Sequence, residues 1–157
     1  AKALANGYPL SAYGGRRDVM EMLYQVTITT TYAGETLSLA AAAATLDVLR
    51  HEPVIAHIWQ MGERLRSGFD AAAQRLGLDA HSYGLAPAVQ FRFSPDAATD
   101  EQAQLVFARE LYRRGIFASR PFLLSYAHRP ADVDETVEAM AAALAVVGGE
   151  VLARPAR

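Results

Sequence analysis

Apolar and polar positions along the chain change period several times, and each change predicts an element. Tyr8 to Tyr13 alternates loosely and stops at Gly14-Gly15, which reads as a short strand and a turn. Gln25 to Tyr32 is β-branched and reads as a strand or extended loop. Leu37 to Arg50 has helical spacing, and the run Ala40 to Ala44 gives it a face small enough for close packing. Glu52-Pro53 then suits a helix start. Val54, Ile58, Met61, Leu65, Phe69, Ala72 and Leu76 recur at three- and four-residue steps and predict a helix ending at Gly77. At 1.5 Å per residue it would span ~36 Å, long enough to connect two domains.

After Asp79 the period shortens. His81 to Tyr83 suits an edge strand and Ala88 to Phe93 alternates more clearly, with Ser94-Pro95-Asp96 as the turn that follows. Thr99 with Gln102 reads as a capping box opening a helix through Val106, Phe107 and Leu111 to a stop at Gly115. Ile116 to Ser119 and Phe122 to Ala127 read as two more strands. Val133, Val137, Met140, Ala141 and Leu144 mark a last helix ending at Gly148-Gly149. Residues 77–147 therefore predict an α+β layer around an antiparallel sheet.

The composition, 52% hydrophobic and 20% charged over 157 residues, is that of a globular chain. A net charge of −2 with interspersed signs gives no basic stripe of the kind nucleic acid or anionic membrane would need. There is no cysteine, and the four histidines at 51, 57, 81 and 128 are scattered, so neither a thiolate metal site nor a helical histidine pair is legible. No stretch approaches 18 uninterrupted apolar residues, and the default expectation is cytoplasmic.

Charge type changes the picture more than charge number. Of 15 basic residues 14 are arginine, and Lys2 is the exception. A guanidinium stays protonated, whereas a desolvated ε-amine loses its proton and attacks a carbonyl. The bland reading of Lys2 is a solvated charge, yet small and turn-forming residues follow it: Ala3-Leu4-Ala5-Asn6-Gly7-Tyr8-Pro9-Leu10-Ser11-Ala12-Tyr13-Gly14-Gly15. A second cluster, Thr30-Thr31-Tyr32-Ala33-Gly34-Glu35-Thr36-Leu37-Ser38, sets hydroxyls and a glycine ahead of a helix start, whose free N–H groups and positive dipole end suit an anion. Its bland reading is helix capping.

Together these segments resemble the class III pyridoxal-phosphate-dependent aminotransferases, the group that includes the ω-aminotransferases and glutamate-1-semialdehyde aminomutase. The resemblance covers essentially all 157 residues. It implies the C-terminal part of a fold-type I transferase: residues 1–50 as the tail of the large cofactor-binding domain, 51–76 as a connecting helix, and 77–157 as a small α+β domain with an antiparallel sheet. It also implies pyridoxal 5'-phosphate as cofactor, held as a Schiff base by Lys2, the catalytic residue. Thr31 would reach the cofactor phosphate of the other subunit of a homodimer with a shared active site, with Tyr32 in the aromatic place and Gly34 in the glycine place. Where many members have Asn-Pro after that glycine, this chain has Glu35-Thr36.

The acidic partner of the cofactor's pyridine nitrogen, the ring-stacking aromatic and the near-side phosphate loop are expected upstream of the lysine, so the chain alone is expected to be inactive. The implied substrates are a small amino donor and a carbonyl acceptor. Phe122-Leu123-Leu124-Ser125-Tyr126-Ala127 lacks the arginine with which some members bind an α-carboxylate, and Ser119-Arg120-Pro121-Phe122 lacks the aminomutase's acid. Arg120 is the candidate for an anionic substrate group. Alternatives are an aminomutase acting on an amino aldehyde and a non-catalytic α+β dimerisation module.

Overall fold

The computed structural model describes residues 3–26, 31–32 and 34–152. The chain divides into two compact units, Ala1–Val54 and Ile55–Arg157.

In the first unit a turn through Asn6 (φ 47°) and Gly7 (φ 100°) leads into irregular chain, then helix α1 (Arg17–Met20) and a 3₁₀ turn (Glu21–Gln25). The strand expected over Tyr8 to Tyr13 does not form, and both tyrosines stand exposed. Alternation makes a strand only where another strand supplies the ladder, and the described residues of this unit supply none. Of the stretch expected as a strand or loop over 25–32, residues 27–30 lie outside the described residues, while Thr31 and Tyr32 are in a turn. Helix α2 (Thr36–His51) covers the expected Leu37 to Arg50. Only Ser38 and Ala42 of α2 are buried, while Leu37, Leu39, Leu46, Val48 and Leu49 are exposed.

The second unit carries the core. Helix α3 (Val54–Arg75) buries Met61, Leu65, Phe69, Ala72 and Ala73. Its end is locally encoded. Gly77 takes φ +66°, the Gly77 N–H reaches the Gln74 carbonyl and the Leu78 N–H reaches that of Ala73, the paired bonds of a Schellman stop. Strands β1 (His81–Leu85) and β2 (Ala88–Arg92) form an antiparallel hairpin closed by Ala86-Pro87, with Leu85 opposite Ala88. Strand β3 (Phe122–Leu123) pairs antiparallel with β2, Val89 opposite Phe122, giving the sheet order β1-β2-β3.

The sequence expected more sheet than this. Residues 116–119 join no strand, and the strand over 122–127 stops after two residues. Ile116 and Ala118 spend their apolar surface packing on the core cluster, Pro121 has no N–H for a ladder, and Ser125 gives its N–H to the His128 ring.

Helix α4 (Ala97–Arg113) starts earlier than the capping box at Thr99 implied. Asp96 is the cap, its carboxylate taking the N–H and the hydroxyl of Thr99 at 2.9 and 2.7 Å. A carboxylate accepting two donors outcompetes a threonine at the positive end of a helix. A second Schellman stop at Gly115 (φ +77°) ends it. Helix α5 (Pro130–Val147) opens with Pro130 in its first turn and the Arg129 N–H on Asp132. It runs on through Gly148 into a π turn to Leu152 instead of ending at the glycine pair.

α3, α4 and α5 close over one sheet face. Phe69 lies at the centre, stacked on Phe91 at 4.1 Å and edge-on to Phe93 and Phe107, each at 5.8 Å. From α3, Met61, Leu65, Phe69, Ala72 and Ala73 belong to this core. The opposite sheet face is open, with Leu85, Ala88 and Leu123 in one cross-strand row.

Candidate functional site

Lys2 lies outside the described residues, as does Thr30. Thr31 and Tyr32 are exposed in the turn before α2, which the Glu35 N–H closes on the Tyr32 carbonyl at 3.2 Å. The helix start itself differs from the expectation of free N–H groups. The Glu35 carboxylate folds back over it and accepts the Leu37 N–H at 2.9 Å and the Ser38 N–H at 2.5 Å. Ser38, through its hydroxyl and then its N–H, holds the Glu35 carboxyl below its ordinary value, although the buried hydroxyl completes no bond of good geometry. Two of the donors an external anion would use are therefore taken by an internal one.

In the second unit Arg120 is exposed and lines a 130 Å³ cavity with Tyr83, Gln90, Asp100, Gln104 and Phe122. The polar lining is largely engaged. Asp100 Oδ1 accepts the Phe93 N–H at 2.7 Å, Gln104 donates to the Phe91 carbonyl at 2.5 Å, and Tyr83 donates to Gln90 at 3.1 Å. Arg120 shares the cavity with a carboxylate, so the pocket is mixed in charge.

Two groupings escaped the sequence. His57 Nε2 donates to the His128 carbonyl at 2.7 Å across 71 positions, and the Tyr126 ring meets His57 edge-on at 5.2 Å. Nothing in the local pattern marks His57, which sits in an otherwise ordinary helical period. Glu110, 5% exposed on α4, is ringed by three arginines. Arg114 above all, then Arg109 and Arg113, pull its carboxyl down to about 2 against the opposing effect of burial. Helical spacing from 110 to 113 and 114 would have marked this cluster. Among the described residues no three metal-ligating side chains gather, and no helix is long and apolar enough to cross a membrane.

Comparison with known proteins decides the family. Residues 1–104 match the profile described as Aminotransferase class-III. The chain belongs to the class-III aminotransferases. Among curated relatives, a glutamate-1-semialdehyde 2,1-aminomutase of Thermomicrobium roseum is 33% identical over 93% of this chain and 37% of its own length. An aminopentol aminotransferase of Sphingopyxis macrogoltabida is 32% identical over 93% of this chain and 35% of its own. Among solved structures, the PLP internal aldimine form of the FumI protein of Sphingopyxis sp. MTA144 superposes with a TM-score of 0.87 at 28% identity, covering 97% of this chain and 37% of that one. A transaminase with PLP bound gives 0.81 at 25% identity. This class-III chain thus spans little more than a third of the length of these relatives, and its fold is the α+β architecture expected of the C-terminal part of such an enzyme.

Proposed function

We propose that this chain is the Lys2-bearing portion of a pyridoxal-phosphate enzyme that moves an amino group between a small amino donor and a carbonyl acceptor. One observation carries the reading: the family profile runs through residues 1–104, and Lys2, the one lysine of the chain, stands inside it. When bound, the cofactor supplies the electron sink that makes the substrate's α-proton removable. Lys2 would hold the cofactor through its Nζ, and its amine, when free, would carry the proton at the substrate carbon. Thr31, exposed in its turn, would donate its hydroxyl to a phosphate oxygen across a homodimer boundary. Glu35 already fills the start of α2, so a phosphate there would be held by Thr31 rather than by those helix N–H groups. In this reading residues 1–50 end a large domain, the helix over 51–76 links it to a small domain over 77–157, and the enzyme works in the cytoplasm.

The test is borohydride reduction of the full-length protein carrying its cofactor, followed by peptide mapping. Pyridoxyl label on the peptide containing Lys2 is expected. Label elsewhere sinks the assignment, and no label at all favours a non-catalytic dimerisation module. The 33% identity to an aminomutase supports a second reading, isomerisation of an amino aldehyde. An aminomutase forms its product without an external amino acceptor, whereas a transaminase stops after half a turnover.

A further inference from the structure

After the stop at Gly77 the chain turns towards β1, and the end of α5 lies against it there. Gly148 permits the approach: a Cβ at that position would stand 3.1 Å from Leu78 Cδ2, whereas one at Gly149 would meet nothing within 4 Å. From this glycine pair α5 widens into the π turn, which sets Leu152 onto the core. Between the two helix ends and the Ser94-Pro95 turn that follows β2 lies a pocket of about 650 Å³, a size usual for sites that hold small molecules. It lies wholly in the second unit and shares no residue with the Arg120 cavity.

The floor of the pocket is apolar. Phe93 and Leu144 are fully buried beneath it, and Leu78 and Leu152 pack partly buried against the same core. Its polar groups carry one sign. Asp79 is the only charged residue among those lining it, although the chain has 14 arginines. Its side chain is exposed, and no ion pair among the described residues includes it. The two bonds of the Schellman stop use the Gln74 and Ala73 carbonyls. Among the described residues no N–H takes up the carbonyls of Leu76 and Gly77, which stand at the negative end of α3.

We propose that this pocket binds a small primary amine with an apolar body, its ammonium between the Asp79 carboxylate and the Leu76 and Gly77 carbonyls and its apolar part on the floor. An ammonium only donates hydrogen bonds, and every polar group just named accepts them. An anion would meet a carboxylate and the negative end of a helix, with no cation to offset either. The floor removes apolar surface from water without fixing direction, and the acceptors at the rim supply the orientation. The site rests on the second unit alone and does not require Lys2 to hold a cofactor.

Titration of the whole 157-residue chain, read by amide NMR and by calorimetry, tests it with three probes. Tryptamine carries both halves of the ligand, indolepropionate has a carboxylate in place of the ammonium, and methylamine lacks the ring. Tryptamine should bind saturably, shift the amides of Gly77, Asp79 and Gly149, and bind at least about tenfold more tightly than either of the other two. Asp79→Asn removes the charge of an exposed side chain and leaves the floor intact, so the fold is not at stake. It should weaken tryptamine about tenfold or more, the ratio for one hydrogen bond to a charged group, and leave methylamine and indolepropionate weak. Absence of saturable binding, or shifts confined to residues outside the pocket, overturns the proposal. So does tryptamine binding no better than indolepropionate or methylamine, or binding Asp79→Asn as tightly as the unmodified chain.

Discussion

Gly62, in the middle of α3, faces the Ala86 carbonyl so closely that a Cβ on the glycine would sit 2.0 Å from the oxygen. The obstructing atom is backbone at the tip of the β1–β2 hairpin and has nowhere to go. Gly62→Ala, which would help an isolated helix, should instead destabilise the second unit by about 3 kcal/mol or more, at or above the usual range for overpacking. Gly149→Ala is the control, since a Cβ there meets nothing within 4 Å. A urea midpoint for Gly62→Ala at or above that of the unmodified chain contradicts the close approach.

Further along α3, a Cβ at Gly68 would lie 2.5 Å from Val137 Cγ2, a side chain of α5. Here the neighbour can be trimmed. Gly68→Ala should cost about 1–3 kcal/mol, and Gly68→Ala combined with Val137→Ala should cost less than the sum of the two single changes, the coupling expected of residues in contact. Strict additivity in denaturant unfolding would show that the two helices do not meet there.

The Glu110 cluster predicts a pH slope. Its carboxyl lies at about 2 against an ordinary 4.5, so the folded state binds this proton more weakly than the unfolded chain. The resulting stabilisation is fully present above 4.5 and is lost as pH falls towards 2. Glu110→Gln should unfold at lower urea than the unmodified chain at neutral pH, and the gap should narrow through that acid window. A constant gap would place the stabilisation elsewhere.

Limited proteolysis should separate the two units. The exposed large apolar side chains of the first unit include Tyr24, 92% exposed, together with Tyr13, Val19 and Met22, whereas the second unit buries a continuous core from Met61 to Val151. Cleavage of the 157-residue chain is expected before about residue 55, leaving a resistant product that contains α3. A resistant product starting near residue 77 would mean that α3 is dispensable for the core. Uniform protection from the first residues would mean that the first unit is as stable as the second.

Thr31→Ala in the full-length protein should weaken cofactor binding by roughly 1–3 kcal/mol, the range for losing one partner of a hydrogen bond to a charged group. Titration of the cofactor into verified dimers reads it directly, and unchanged affinity would remove Thr31 from the phosphate site.

What could be read along the chain was chemistry that needs only near neighbours. Gly77 and Gly115 stop their helices because each takes a positive φ that other residues adopt at a cost, and the apolar steps from Met61 to Ala72 mark a buried helical face whatever covers it. Lys2 and the Thr31–Gly34 run carried the family in the same way, as local patterns of residue type.

The tertiary structure decided whatever depends on a partner far along the chain. Tyr8 to Tyr13 and residues 116–119 alternate or are apolar enough for strands, yet a strand exists only where a second one completes its hydrogen bonds. Only the fold sets Ala86 against Gly62 and Val137 against Gly68, both of which lie inside an ordinary helical period. Glu35 read as a departure from Asn-Pro until its carboxylate was seen to take the helix N–H groups for itself. His57 and His128, 71 positions apart, are two scattered histidines until the fold joins them, because a side-chain hydrogen bond leaves no periodicity behind.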